Sequence, residues 1–462
     1  MDRKYSNTIW LAILWAIFTA ILVFLFYYAS NRNFDVDEIE HLHTGWKILQ
    51  GQQIFVDFFQ HHHPFLHYLL AYIITIFGET TDTIFAGRYV MALMMVGILT
   101  VTYLLSIRIF KSAEIGIISM ILTVTVVSFY MKSIEVRPDV PQALTGLLSI
   151  YFLFTFYDKK STSSLIASAV FLAVSYLFLQ KTIILILIIG LFLLYDLIRK
   201  RIGFREVLIY AGTFLICISP YYLYLLISGS YKEYFVMNWL INLSYPQEVR
   251  ISTFIGQTLR ENFITGALYF LGIIKLVRMD NQRRFVLLSL SLFISILILM
   301  IPWRQYFIMV IPLIAIIASY TIYSISKNKL VRIIVLIAAI FIPIFVVHNG
   351  LFKMNNKKQS VQIDRINYVL SITNENDKIY DPRCLFNLYR EDIDYFWFCT
   401  GKNTCLDIYR KLNGYEYDIY DLIAKEKPKV VSTLYINDLN NENIRNNYEA
   451  SDYYDDILIR KD

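Results

Sequence analysis

Long apolar runs, separated by short polar joints, fill the first three quarters of the chain. They fall at approximately 8–28, 86–107, 114–131, 140–157, 162–179, 182–198, 206–227, 263–277, 285–301, 305–325 and 333–347. Runs of this length predict about eleven transmembrane helices, because a helix satisfies its own backbone in lipid. The run Leu66–Phe77 is shorter and predicts an interfacial or re-entrant helix. The first run is longer than the apolar part of a typical signal peptide, so it reads as a retained helix rather than a cleaved leader. Beyond 347 the pattern changes. The tail is polar, and within it "YDLIAKEKPKVVSTLY" predicts a helix, a Pro-marked turn and a buried strand. The expected fold is a polytopic α-helical membrane protein, with a membrane domain over 1–347 and a small soluble α/β domain over 348–462.

Composition agrees with that pattern: 56% of the 462 residues are hydrophobic, and the mean hydropathy is +0.49. Charge sets the expected orientation. With the N-terminus inside, successive inner joints hold Arg3 and Lys4, then Arg108 and Lys111, then Lys159 and Lys160. Arg199, Lys200, Arg201 and Arg205 follow, then Lys275, Arg278, Arg283 and Arg284, and finally Lys327, Lys329 and Arg332. This is the positive-inside distribution. Counting Leu66–Phe77 as a full span would reverse every later joint and destroy it. The outer segments are then 31–85, 132–139, 228–262, 302–304 and the tail from His348. A net charge of +6 spread over span ends gives no footprint for nucleic acid. There are four cysteines and no CxxC pair. The three in the tail allow one disulfide and a leftover thiol, or none; Cys399–Cys405 closes the shortest loop and is the expected pair.

The chemistry concentrates in the first outer loop. "DVDEIEHLHTGWKILQGQQIFVDFFQHHHPF" carries Asp35, Asp37, Glu38, Glu40 and Asp57, and five of the seven histidines: His41, His43, His61, His62 and His63. Crowded carboxylates near an apolar boundary tend to have at least one pKa raised, which suits a general base. The same residues also read as a solvated acidic loop. Three successive histidines do not converge on one ion in a regular helix or strand. One of them with Asp57 and a carboxylate of "DVD" can bind a divalent ion; orienting hydrogen bonds or phosphate contacts are the alternative. Outer-face cations come from distant joints: Lys132 and Arg137 beside Glu135 and Asp139, Lys181, Arg304, and Lys232, Arg250 and Arg260. Converging, they would hold a phosphate; singly, they snorkel to headgroups. Aromatic residues make up 16% of the chain, and Trp239 is a candidate for stacking on a sugar.

The order of these pieces resembles the GT-C membrane glycosyltransferases that use polyprenyl-phosphate sugars, among them the protein O-mannosyltransferases and the lipid A aminoarabinose transferase. Asp37–Glu38 looks like the acidic pair of the family's first outer loop. Gly51 in "ILQGQQIF" follows it. "FVDFFQHHHPFLHYLL", with Asp57, His63, Pro64 and Leu66, is similar to the aromatic segment and Pro-Pro-Leu-like turn. "GRYVMALMMVGILTVTYLLSIRIF" resembles the next span, and "EVRPD" the later Arg-Pro-acid segment. The likeness covers the chain up to about Lys160. It departs at Phe65, where a second Pro is common, which leaves the turn geometry open.

The resemblance implies an inverting glycosyltransferase of the cell (inner or plasma) membrane, with active site and C-terminus outside the cytoplasm. Its partners would be a polyprenyl-phosphate sugar donor, a glycan or lipid acceptor and the bilayer. Asp37 and Glu38 would be the catalytic pair, with Asp37 as the base. Lys132, Arg137, Lys181 and Arg304 would hold the donor phosphate, and Asp57, His62 and His63 would support the loop. No cofactor is required, and a divalent metal is left open. The competing readings are transfer to protein Ser or Thr, and a transporter or flippase. Against transport, the ionisable residues gather at one face rather than along the spans.

Overall fold

A computed structural model of the chain describes residues 3–246, 251–299, 303–353, 357–414, 417–434, 436 and 438–461. Arg250 and Pro302 lie outside the described residues. Two compact units form. One joins Met1–Asn31, Tyr89–Pro220 and Gln247–Asn355; the other joins Arg32–Arg88, Tyr221–Pro246 and Asn356–Asp462. The acidic, His-rich loop thus shares a unit with the tail.

The first unit is helical, and helices occupy the described part of each predicted apolar run, not always as one piece. Five described helices are long and apolar enough to cross a membrane: Asn7–Tyr28, Asp82–Phe110, Asp139–Lys159, Gln180–Ile198 and Phe204–Ile227. Ala113–Thr125, Thr162–Phe178 and Ile311–Ile325 are apolar but shorter. Helix contacts rely on small residues, as expected where lipid offers no hydrophobic drive. A Cβ on Gly272 would stand 2.6 Å from Ile317 Cγ2 and Thr321 Oγ1, so only glycine allows that approach. Thr321 Oγ1 donates across the same contact to the Leu268 carbonyl (2.8 Å).

The predicted run 114–131 is not one helix. It breaks at Val126 (φ −61°, ψ 124°) between Ala113–Thr125 and Val127–Lys132. The freed Val127 N–H donates to Asn262 Oδ1 at 3.1 Å. Asn262 itself departs from helical geometry (φ −137°, ψ 30°) inside Ile251–Leu276. The side chain at one break satisfies the backbone at the other, which buried polar backbone demands. The run 305–325 likewise opens as a short 3-10 turn, Arg304–Phe307, ahead of Ile311–Ile325.

The second unit is mixed. Its helices include Val36–Leu49, Phe65–Phe77 and Lys357–Ile372. Among the described residues five short strands follow: β1 Lys378–Tyr380, β2 Glu391–Asp392, β3 Val430–Ser432, β4 Tyr448–Ala450 and β5 Ile457–Arg460. Their order is β2-β1-β3-β5-β4. β1 runs parallel to β2 and β3, whereas β5 is antiparallel to β3 and β4. The predicted helix–turn–strand segment is present as Ile419–Glu426 followed by β3, whose Val430 and Val431 are fully buried.

Candidate functional site

The loop helix begins with a capping box. Asp35 accepts the Asp37 N–H at 3.2 Å, and Glu38 Oε1 accepts the Asp35 N–H at 2.9 Å. This fixes the first helical turn and places the half-buried Asp37 carboxylate there, where the helix dipole favours an anion. Glu38 points the other way. It is fully buried and holds Arg88, also fully buried, in a two-pronged ion pair: Nε to Oε2 at 2.8 Å and Nη2 to Oε1 at 2.7 Å. The remaining Arg88 donors reach the carbonyls of Arg32 (2.9 Å) and Asn33 (2.6 Å). Burial pushes the Glu38 carboxyl up, but Arg88, then Arg32 and the Asp35 N–H, outweigh it, so its pKa lies below the usual range. The rise that crowding predicts for at least one carboxylate does not occur at Glu38, because the paired Arg88 guanidinium favours the charged form.

The rest of the helix is held by the tail. His43 Nε2 meets Asp392 Oδ2 at 2.8 Å, and His43 Nδ1 meets the Leu388 carbonyl at 3.0 Å. Lys47 Nζ reaches the same Asp392 oxygen at 2.9 Å, and Asn387 donates to the other at 3.0 Å. Burial raises the Asp392 pKa, yet Lys47 and His43 reverse the direction and hold it low. The following loop is also gripped by its backbone. The Tyr395 hydroxyl donates to the Phe55 carbonyl (2.7 Å), Phe59 N–H to the Tyr395 carbonyl (2.9 Å), and Trp397 Nε1 to the Phe59 carbonyl (2.9 Å). Phe55 is buried at φ 71°, a conformation costly for a bulky residue that the surrounding bonds sustain.

The histidines have separate tasks. His41 Nδ1 lies 3.2 Å from His67 Nε2 and 3.4 Å from Glu40 Oε1. Burial, with the nearby His61, depresses the His67 pKa to about 3. His62 Nε2 lies 3.0 Å from His61 Nε2, and His63 Nε2 lies 2.9 Å from the Tyr234 hydroxyl. That hydroxyl also takes the Trp239 indole N–H at 3.1 Å, so Trp239 is anchored in an aromatic cluster. Asp57 is exposed and accepts the Gln53 N–H at 2.6 Å, closing a turn. Among the described residues it joins no cluster of ligating atoms. Among the described residues one such group of three exists: His61, Cys399 and Cys405. The two cysteines form the expected disulfide.

The first unit brings the four predicted cations to one region. Lys132 Nζ bonds both Glu135 oxygens at 2.9 and 2.8 Å, and Arg137 shares Glu135 (3.6 Å) and reaches Asp139 (3.5 Å). Asp139 lines a small pocket with Lys181 and Tyr306, and Lys181 Nζ sits 3.4 Å from the centre of the Tyr306 ring. Arg304 grips Glu261 with both nitrogens, at 2.9 and 2.5 Å, and its turn packs on Val127–Lys132. Lys232 and Arg260 are exposed. The residues that sequence reasoning passed over are the partners: Arg88, Asp392, Glu261 and Tyr306. Arg88 left one signal, a lone cation at the start of an apolar run.

A sequence model of the family described as dolichyl-phosphate-mannose-protein mannosyltransferase matches residues 61–224, less than half of the chain. No curated protein matches the sequence. Among solved structures, ArnT from Cupriavidus metallidurans bound to undecaprenyl phosphate aligns with a TM-score of 0.69 at 12% identity, over 96% of this chain and 97% of that one. The archaeal oligosaccharyltransferase AglB from Archaeoglobus fulgidus, in complex with an inhibitory peptide and a dolichol-phosphate, aligns with a TM-score of 0.57 at 12% identity, over 90% and 69%. The chain has the fold of these multi-pass membrane proteins, the GT-C fold that the loop motifs resemble.

Proposed function

We propose that this chain is an inverting glycosyltransferase that moves a sugar from a polyprenyl-phosphate donor to a glycan or lipid acceptor at the outer face of the cell membrane. The observation that carries the reading is Asp37: a carboxylate set on the first turn of a helix whose start is locked by the Glu38–Arg88 ion pair, in a chain of this fold. In this mechanism Asp37 takes the proton from an acceptor hydroxyl. The oxygen attacks the anomeric carbon, the bond from that carbon to the phosphate oxygen breaks, and polyprenyl phosphate leaves. A single displacement inverts the anomeric centre. The leaving phosphate needs charge stabilisation more than a proton; Lys132, Arg137, Lys181 and Arg304 supply it. Glu38 acts as a positioning residue. Asp57, His62 and His63 shape the loop. In the same reading the chain crosses the membrane about eleven times, and both the loop 31–85 and the tail from 348 lie outside the cytoplasm.

Transfer to protein Ser or Thr is the second reading, favoured by the family description that matches residues 61–224. Incubating the purified chain with a radiolabelled polyprenyl-phosphate sugar and cell-envelope acceptors tests both. Label in glycan or lipid supports the first reading and label in protein the second. Movement of intact donor across vesicles without transfer overturns both in favour of transport. Arg137→Lys should lower turnover although it keeps the charge, because two-pronged contact to phosphate is lost; Arg137→Ala should lower it further. Equal turnover of Arg137→Lys and wild type would remove Arg137 from the phosphate-holding set.

A further inference from the structure

We infer that His61, Cys399 and Cys405 form a site for a soft divalent ion of the zinc class, opened when the Cys399–Cys405 bond is reduced. The inference does not depend on the sugar-transfer reading.

One nitrogen and two sulfur atoms of these residues lie within 4.8 Å of one another. Tetrahedral zinc with sulfur ligands needs spacings of about 3.8 Å, so small side-chain rotations suffice. His61 Nδ1 already faces Cys405 Sγ at 3.3 Å. Its other nitrogen lies 3.0 Å from His62 Nε2, the outer-shell contact that orients a metal-bound imidazole. The rings of Phe59 and Phe398, centred 5.7 and 5.6 Å from His61, restrict its rotation and supply an apolar wall.

Both sulfurs sit where a thiolate is stabilised. Cys405 is the first residue of the helix Cys405–Asn413, and its backbone N–H points at Cys399 Sγ at 3.3 Å. The Thr404 hydroxyl and the Leu406 N–H both bond the Cys399 carbonyl, at 2.6 and 3.2 Å. The loop between the cysteines is therefore held by bonds other than the disulfide, and keeps the sulfurs together when it opens. Cys405 is buried, whereas His61 and Cys399 are half-buried, which leaves a side for entry. Two sulfurs and one imidazole select zinc over magnesium or manganese. Three protein ligands leave a fourth position for water.

The chemistry balances in two steps. A dithiol reductant gives two electrons and two protons to the cystine and becomes a disulfide itself. The divalent ion then displaces both thiol protons into the medium. The test uses the full-length protein in detergent, either oxidised or reduced with a dithiol and desalted anaerobically, and titrated with zinc against a chromophoric chelator. The reduced form should take up about one more zinc per chain than the oxidised form. Cobalt should give sulfur-to-metal absorption in the near ultraviolet only after reduction. His61→Ala should weaken the extra zinc by at least about tenfold while both thiols still react with a maleimide. The double variant Cys399→Ser, Cys405→Ser should abolish the extra zinc with an unchanged circular dichroism spectrum. Equal zinc uptake by the reduced and oxidised forms, or undiminished affinity in His61→Ala, would overturn the inference.

Discussion

At the scale of single residues, Asp37 and Glu38 are neighbours with different fates. Asp37 is half-buried on the first turn, so Asp37→Asn should abolish transfer and leave the thermal midpoint within about a degree of wild type. Glu38→Gln removes one partner of an enclosed ion pair, a change that typically costs about 3–5 kcal/mol, and should lower the midpoint clearly. Unfolding followed by intrinsic fluorescence, alongside transfer assays, separates the two; a stable, active Asp37→Asn would end its assignment as the base. His67 provides a pH signature. Its folded pKa of about 3 lies below the unfolded value of 6.5, so the unfolded chain binds the extra proton between those limits. Stability from this group is fully present above pH 6.5 and falls on acidification, by about 1.4 kcal/mol per pH unit. Asp381 has the opposite sign, since burial lifts its pKa to about 6 and acidification between 6 and 3.8 favours its folded form. The difference between wild type and His67→Gln isolates the histidine: the variant should lose this slope, and parallel curves would refute it. Asp37 was conspicuous in the sequence, because Asp35, Asp37, Glu38 and Glu40 crowd together soon after an apolar run. Arg88 was not, because a buried ion-pair partner and a snorkelling cation look the same at the start of a span.

At the scale of elements, apolar periodicity located the helices but not their interruptions. Nothing in "LTVTVVSFY" marks a break, as it holds neither Pro nor Gly. The break at Val126 exists because Asn262, far along the chain, presents an oxygen to the Val127 N–H. Asn262→Leu should leave that buried donor unpaired and cost about 1–3 kcal/mol. Hydrogen exchange on the Val127 amide is the measurement: unchanged protection would mean that another group satisfies it. The segment "YDLIAKEKPKVVSTLY" was legible as helix, turn and strand because its apolar spacing, its Pro428 and its Val pair act within a few residues of one another. The two-residue strand β2, whose Asp392 takes both His43 and Lys47, is too short to carry a pattern.

At the scale of the whole molecule, the tail is a structural half of the loop it follows so late in the chain. Deleting 374–462 removes Asp392, Tyr395 and Trp397 together, and with them the bonds to His43, Lys47, Phe55 and Phe59. The truncated chain should insert in the membrane yet transfer nothing. Limited proteolysis within 50–60 should accelerate by at least about tenfold, since the loop loses its protecting contacts. Equal protease resistance in both forms would refute this dependence. Sequence reading recovered the two materials, apolar and polar, but not that the tail completes the loop. Hydrophobic pattern reports local burial; it carries no record of which distant segment supplies the partner.

That pairing also has a schedule. His43 and Asp392 are 349 positions apart, and a ribosome adding about 5–20 residues per second needs on the order of 20–70 s to travel that far. For that interval the loop has been made but the tail's share of its bonds does not yet exist. A chain whose synthesis stops early, even after most of its helices are complete, would reach the membrane with the acid-bearing segment unfinished. Residues translated late therefore decide whether the acidic, His-rich loop made long before them becomes usable.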